Sequence, residues 1–125
     1  MSSTSFYPIG IPGQPWGENE RSQWLGSQSV KRSYQEDVVP RIEAMADRFE
    51  TPTYGRLEYA DESYSLFALR NGIHDPNLQT ALITGGVHGY ETSGVMGALE
   101  FLETRAAEYV GKVNLLVAPC VSPWA

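Results

Sequence analysis

The sequence predicts an α/β fold with a mixed, partly parallel sheet, and three observations carry that expectation. Two short apolar runs, 81–83 (Ala-Leu-Ile) and 113–117 (Val-Asn-Leu-Leu-Val), bracket an amphipathic segment. Apolar strands joined through a helix imply a right-handed crossover and a parallel pair. Two strand-like runs precede them, 54–60 and 63–70, separated by Asp61 and Glu62, and read as an antiparallel hairpin.

Residues 1–17 are rich in proline, glycine and serine, so an extended arm is expected there rather than a packed element. Phe6, Tyr7 and Trp16 are its apolar points and read as pins to the rest of the chain. A short polar helix is expected over 18–28, with a thin apolar stripe of Trp24 and Leu25. The arm is drawn as 1–29 and one domain as 30–125.

Residues 34–50 read as a helix, because Val38, Ile42, Met45 and Phe49 recur at helical spacing. Ser33 followed by Glu36 fits a capping box. Pro40 opposes a regular helix, since proline in a helix interior costs about 3 kcal/mol. A kink or an irregular first turn is therefore expected, and Thr51-Pro52 ends the element. Residues 71–79 have loop composition, and His74 within them reads as a solvated histidine. The helix expected over 91–108 carries Val95, Leu99, Leu102 and Ala106 on one face. Gly94 and Gly97 each cost that helix about 1 kcal/mol relative to alanine, which points to close packing, and Gly111 stops it.

With 125 residues the chain suits one domain, and 42% hydrophobic content is enough for a core. A net charge of -6 argues against a nucleic-acid partner, which would need a basic face. No run reaches the length of a membrane span, and the first ten residues carry no secretory signal, so a cytoplasmic location is the default expectation. The single cysteine, Cys120, lies in an apolar run and reads as a buried, inert thiol.

The chemistry concentrates where the run 81–83 meets the helix. Gly85-Gly86-Val87-His88-Gly89 places His88 three residues before Glu91, just past the carboxyl end of a strand. Ligand crevices of open α/β sheets lie at that end. Imidazole nitrogen and carboxylate oxygen are donors that zinc accepts. Other glycine-turn chemistries do not fit. A dinucleotide fingerprint needs G-x-G-x-x-G, and a phosphate loop needs a lysine, absent between Lys31 and Lys112. A nucleophile elbow needs G-x-S-x-G, whereas Glu91 precedes Ser93 by two. The bland alternative is that His88 bonds a backbone carbonyl and Glu91 complements the helix dipole, worth about 0.3–1 kcal/mol.

The stretch TGGVHGYETSG, its following helix and the segment NLLVAPCVSPWA resemble the zinc carboxypeptidase family, near its succinylglutamate desuccinylase and aspartoacylase branch. The resemblance covers roughly residues 30–125, including the order of the upstream helix and hairpin. It implies a mixed sheet with helices on both faces. It also implies one zinc ion held by His88 and Glu91, and a peptide carboxyl terminus as substrate, cleaved at its last peptide bond by a zinc-activated water. In the family the third ligand (a histidine), the base (a glutamate) and a substrate-clamping arginine come further along, beyond Ala125. This chain is therefore expected to match the amino-terminal half of such an enzyme, truncated and inactive alone. A zinc-dependent N-acyl amino acid deacylase and a non-catalytic remnant are the alternatives. Neither the substrate side chain nor the oligomeric state is encoded here.

Overall fold

The computed structural model describes residues 7–88 and 91–124. The chain divides into two compact units, 1–31 and 32–125.

In the first unit, residues 11–14 form a turn closed by the Gln14 amide donating to the Ile11 carbonyl at 3.1 Å. Helix α1 (Glu18–Ser27) follows and buries none of its residues. Its thin stripe stays open, with Trp24 and Leu25 both exposed. Of the three apolar points expected to pin the arm, Phe6 lies outside the described residues; Tyr7 and Trp16 are exposed.

The second unit opens with the irregular first turn that Pro40 demands. Residues Tyr34–Val38 wind as one π turn, and α2 (Val39–Glu43) continues it with Pro40 in its first turn, where a missing amide costs little. Past Glu43 the chain follows turns rather than the regular helix expected to residue 50. Those turns keep the apolar face: Ile42, Met45 and Phe49 are all buried. The capping box is altered by the π turn. The Ser33 hydroxyl accepts from the Glu36 amide at 3.2 Å, as expected. The reciprocal bond goes to Asp37, whose carboxylate accepts from the Ser33 amide at 2.9 Å. A wider turn brings the residue at i+4, rather than i+3, back over the cap.

Strands β1 (Thr53–Tyr59) and β2 (Glu62–Phe67) form the expected antiparallel hairpin as a separate two-stranded sheet. Its turn lies one residue earlier than the sequence reading, because Tyr59 pairs with Glu62. Ala60 there adopts φ 52°, a left-handed conformation that costs a non-glycine residue about 1–2 kcal/mol. The run 63–70 is not one strand. It leaves the hairpin at Ala68, whose amide donates to the Pro52 carbonyl at 3.0 Å. It then enters the main sheet as β3 (Leu69–Arg70).

The main sheet has the order β3-β5-β4, with β4 spanning Thr80–Thr84 and β5 Asn114–Ala118. β3 pairs antiparallel to β5, and β4 pairs parallel to it, so the mixed α/β class is as expected. The crossover between β4 and β5 is α3 (Thr92–Thr104) with a 3-10 turn at Ala106–Tyr109. Gly111, at φ 78°, turns the chain into β5.

Helix α3 lays Val95, Leu99 and Leu102 into the core, and Ala106 follows from the 3-10 turn, since the helix ends at Thr104 rather than the expected 108; each is at most 3% exposed, as the spacing predicted. They meet Leu115 and Val117 of the sheet and Ile42 and Met45 of the α2 region in one cluster. Truncating a fully buried leucine such as Leu99 to alanine costs about 2–5 kcal/mol. Gly94 packs closely, as expected, but Gly97 faces open space. The other sheet face carries Leu82, 65% exposed, on β4, the edge strand. None of the described helices is long and apolar enough to cross a membrane.

Arg41 ties α2 to α3. Its guanidinium donates two bonds to the Glu103 carboxylate, both at 2.8 Å. That hydrogen bond, with the attraction of Arg41 and Arg48, holds the Glu103 carboxyl below its usual range. A depressed folded pKa gives a contribution present at neutral pH and lost as pH falls through that pKa. The pair is about one-third exposed, so its worth is discounted toward that of surface pairs. Arg41→Met is expected to destabilise the chain by about 0.5–1 kcal/mol at neutral pH. Urea unfolding should show that difference shrinking as pH falls through the depressed Glu103 pKa; a difference that stays constant with pH would assign the loss to packing.

Candidate metal centre

The candidate site is built on the carboxyl end of the parallel pair. Thr84 stands opposite Ala118, the last register pair of the ladder. Hydrogen bonding continues past both strands. The Gly85 amide donates to the Ala118 carbonyl, and the Val121 and Ser122 amides donate to the Gly85 and Gly86 carbonyls, all at 2.9 Å. The glycine turn is therefore held along one side by the segment after β5. Gly86 adopts φ +65°, a conformation open to glycine at no steric cost.

His88 follows two residues later and is exposed, as is Glu91. The Glu91 amide donates to the His88 carbonyl at 3.1 Å, closing a turn between the two. Gly89 and Tyr90, inside the motif, lie outside the described residues. Glu91 occupies the N-cap of α3, yet its side chain makes no cap hydrogen bond. Neither the His88 imidazole nor the Glu91 carboxylate has a hydrogen-bond or ion-pair partner among the described residues. Of the bland alternative, the His88 bond to a backbone carbonyl is not found among the described residues, whereas Glu91 does stand at the positive end of the helix.

The donor chemistry fits part of a zinc site: one imidazole and one carboxylate three residues apart, following a glycine turn held by backbone bonds. A full set is lacking. No group of three His, Cys, Asp or Glu able to hold a metal ion occurs among the described residues. His74 cannot supply the third donor. Its loop is bound at the other end of the sheet, where the Asp75 amide donates to the Asn114 side-chain oxygen at 3.0 Å. Asn114 begins β5 and the glycine turn lies past its end, roughly 15 Å away at about 3.3 Å per residue. His74 is itself exposed, the solvated histidine the sequence suggested.

Cys120 sits under the glycine turn and is 6% exposed. Burial pushes its thiol up to about 11, against a hydrogen bond from the Ser122 backbone that lowers it. Beside it, a crevice of about 40 Å³ lies between Tyr34, Thr92 and Val95. That is room for a few waters and not for a substrate. The sequence reading did not foresee the backbone of residues 119–122 as the partner of the turn. Its only signal is that this segment directly follows the second apolar strand.

Three solved structures are similar to this chain, each described as a "putative metallopeptidase". The protein from Shewanella denitrificans is 27% identical with a TM-score of 0.56, over 67% of this chain and 31% of its own. That from Shewanella amazonensis is 29% identical with a TM-score of 0.54, over 69% of this chain and 30% of its own. That from Shewanella baltica is 28% identical with a TM-score of 0.56, over 67% and 31%. The chain thus has a metallopeptidase-like fold and spans about three tenths of the length of each of these proteins. No family model and no curated protein matches it.

The state of Cys120 yields a direct test. A thiol at about 11 rather than the ordinary 9.0 holds about a hundredfold less thiolate at pH 8. Reaction of the native chain with a disulfide reagent is expected to be slower than that of the urea-unfolded chain by at least that factor. Equal rates would place the thiol at the surface.

Proposed function

We propose that this chain is the metal-bearing part of a zinc metallocarboxypeptidase, with His88 and Glu91 as two of the ligands. The observation that carries the reading is the pair itself. An imidazole and a carboxylate, exposed and without partners among the described residues, adjoin on a turn held by backbone bonds at the carboxyl end of a parallel strand pair. The similarity to proteins described as metallopeptidases, which implies a metal ion, supports it.

Each residue has a defined task on this reading. His88 offers a neutral imidazole nitrogen, and Glu91 a carboxylate that the helix cap leaves unengaged. The negative charge of Glu91 offsets part of the cation's charge. The glycine turn, held at Gly85 and Gly86 by backbone bonds, leads directly into both donors. Zinc bound in such a site lowers the pKa of a coordinated water to about 7 and polarises a substrate carbonyl. A general base and a group recognising the terminal carboxylate are also required for peptide hydrolysis. Neither is assigned to a residue of this chain, so on its own it is expected to release no carboxyl-terminal residue above the uncatalysed rate.

Two measurements test the reading. In the first, Zn²⁺ is titrated into the chain and followed at the imidazole resonances of its two histidines. His88 is expected to shift and His74 to stay, with Glu91→Gln weakening the effect by at least tenfold. Equal shifts at both histidines, or an unchanged titration in Glu91→Gln, would overturn the ligand assignment. In the second, the native gene product is offered peptides with free carboxyl termini and, in parallel, N-acetyl and N-succinyl amino acids. Chelator-sensitive release of the terminal residue is expected; cleavage of the acyl amino acids instead would replace the peptidase by a deacylase.

A further inference from the structure

We propose that Gly85 is a positioning residue for the His88–Glu91 pair, the point at which the first turn of α3 and the segment after β5 close on the base of the ligand loop. This inference rests on the metal reading above and assigns a role that reading does not require.

Gly85 lies three residues before His88, and Gly94 lies three residues after Glu91. The Gly94 amide-plane atoms and the Gly85–Gly86 backbone are in contact across the loop. In sequence the two donors thus lie between Gly85 and Gly94, whose backbones meet. The closure depends on what Gly85 lacks. A Cβ built there would stand 2.7 Å from the Gly94 carbonyl oxygen and 2.8 Å from the Pro119 carbonyl oxygen. Both are backbone atoms, so no rotamer change relieves the overlap. An alanine at 85 must push α3 away from the segment after β5, and the base of the loop opens.

The neighbouring glycines do not have this property. At Gly86 an added Cβ would stand 2.6 Å from the Val95 side chain and 3.2 Å from the Cys120 Cα, so its closest overlap is with a side chain, and the positive φ adds strain of its own. At Gly97 an added Cβ would meet nothing within 4 Å. Gly85 is therefore the glycine whose added Cβ overlaps two backbone carbonyl oxygens at once, one in the first turn of α3 and one after β5. Metal sites are sensitive to such movement, since ligand distances hold to about 0.2 Å. Groups that orient ligands without touching the metal typically cost about 10–100-fold in affinity when lost.

The test uses the full chain, Zn²⁺ as the probe and the His88 imidazole resonances as the readout, with His74 as the internal reference. Gly85→Ala is expected to keep the wild-type circular-dichroism spectrum while binding zinc at least about tenfold more weakly. Gly97→Ala is expected to bind as the wild type does, although both variants add one methyl group to a glycine. Wild-type affinity in folded Gly85→Ala would overturn the positioning role and leave the ligand assignment standing. Should Gly85→Ala fail to fold, Ser122→Pro deletes the amide that holds the Gly86 carbonyl and leaves the helix sequence intact. The same loss of affinity is expected there, and unchanged affinity overturns the proposal. A wild-type chain whose His88 does not respond to zinc sinks the metal reading and this inference with it.

Discussion

The structure depends on one backbone ladder that outlasts its strands. β5 is the central strand, and its pairing with β4 sets which side chains of both face the core. A one-residue slip would turn Ile83 and Val117 away from α3. Because the ladder continues through Gly85 and Gly86, the same register also fixes where the glycine turn begins. Core packing and the placement of His88 are thus set by a single alignment. Helix α3 is bound to that alignment at both ends, starting from the turn and returning its chain to β5.

The two ends of the parallel pair treat polar side chains in opposite ways. At the amino end, Asn71 and Asn114 are buried, and each is fully engaged. The Asn71 side chain donates to the Val113 carbonyl and accepts from the Leu115 amide. Asn114 donates to the Asp75 and Leu78 carbonyls. These bonds lock the loop 71–79 to β5, and no buried side-chain polar atom among the described residues lacks a partner. At the carboxyl end, the exposed His88 imidazole and Glu91 carboxylate have no partners among the described residues.

Most of the architecture was legible in the sequence because it rests on periodicity. The spacing of Val95, Leu99, Leu102 and Ala106 named the buried face of α3, and the two apolar runs named the parallel pair. The errors arose where a local geometric choice is not written in hydrophobicity. The π turn at 34–38 moved a capping bond from Glu36 to Asp37. The break at Ala68 split one apparent strand between two sheets, which an apolar run cannot reveal. Gly94 and Gly97 look alike in sequence, yet only Gly94 packs against the turn. The motif marked His88 and Glu91, but not the clamp: residues 119–122 act through backbone amides, and backbone amides leave no signature in side-chain identity.

The incomplete features of the chain share a border, and that constrains how they are completed. β4 carries the ligand turn and is also the edge of its sheet, with Leu82 exposed on its uncovered face. On the proposed reading, a third donor must come from polypeptide other than the described residues. A strand added parallel to β4 would lie about 4.8 Å from it and bring its own carboxyl end alongside His88. The same addition would pair the open edge and extend the crevice at which α/β folds bind their ligands. An antiparallel strand would pair the edge equally well but would present its amino end there. Supplying the missing donor and covering the edge are therefore one geometric requirement rather than two, and strand direction is the variable that separates a completed site from a merely completed sheet.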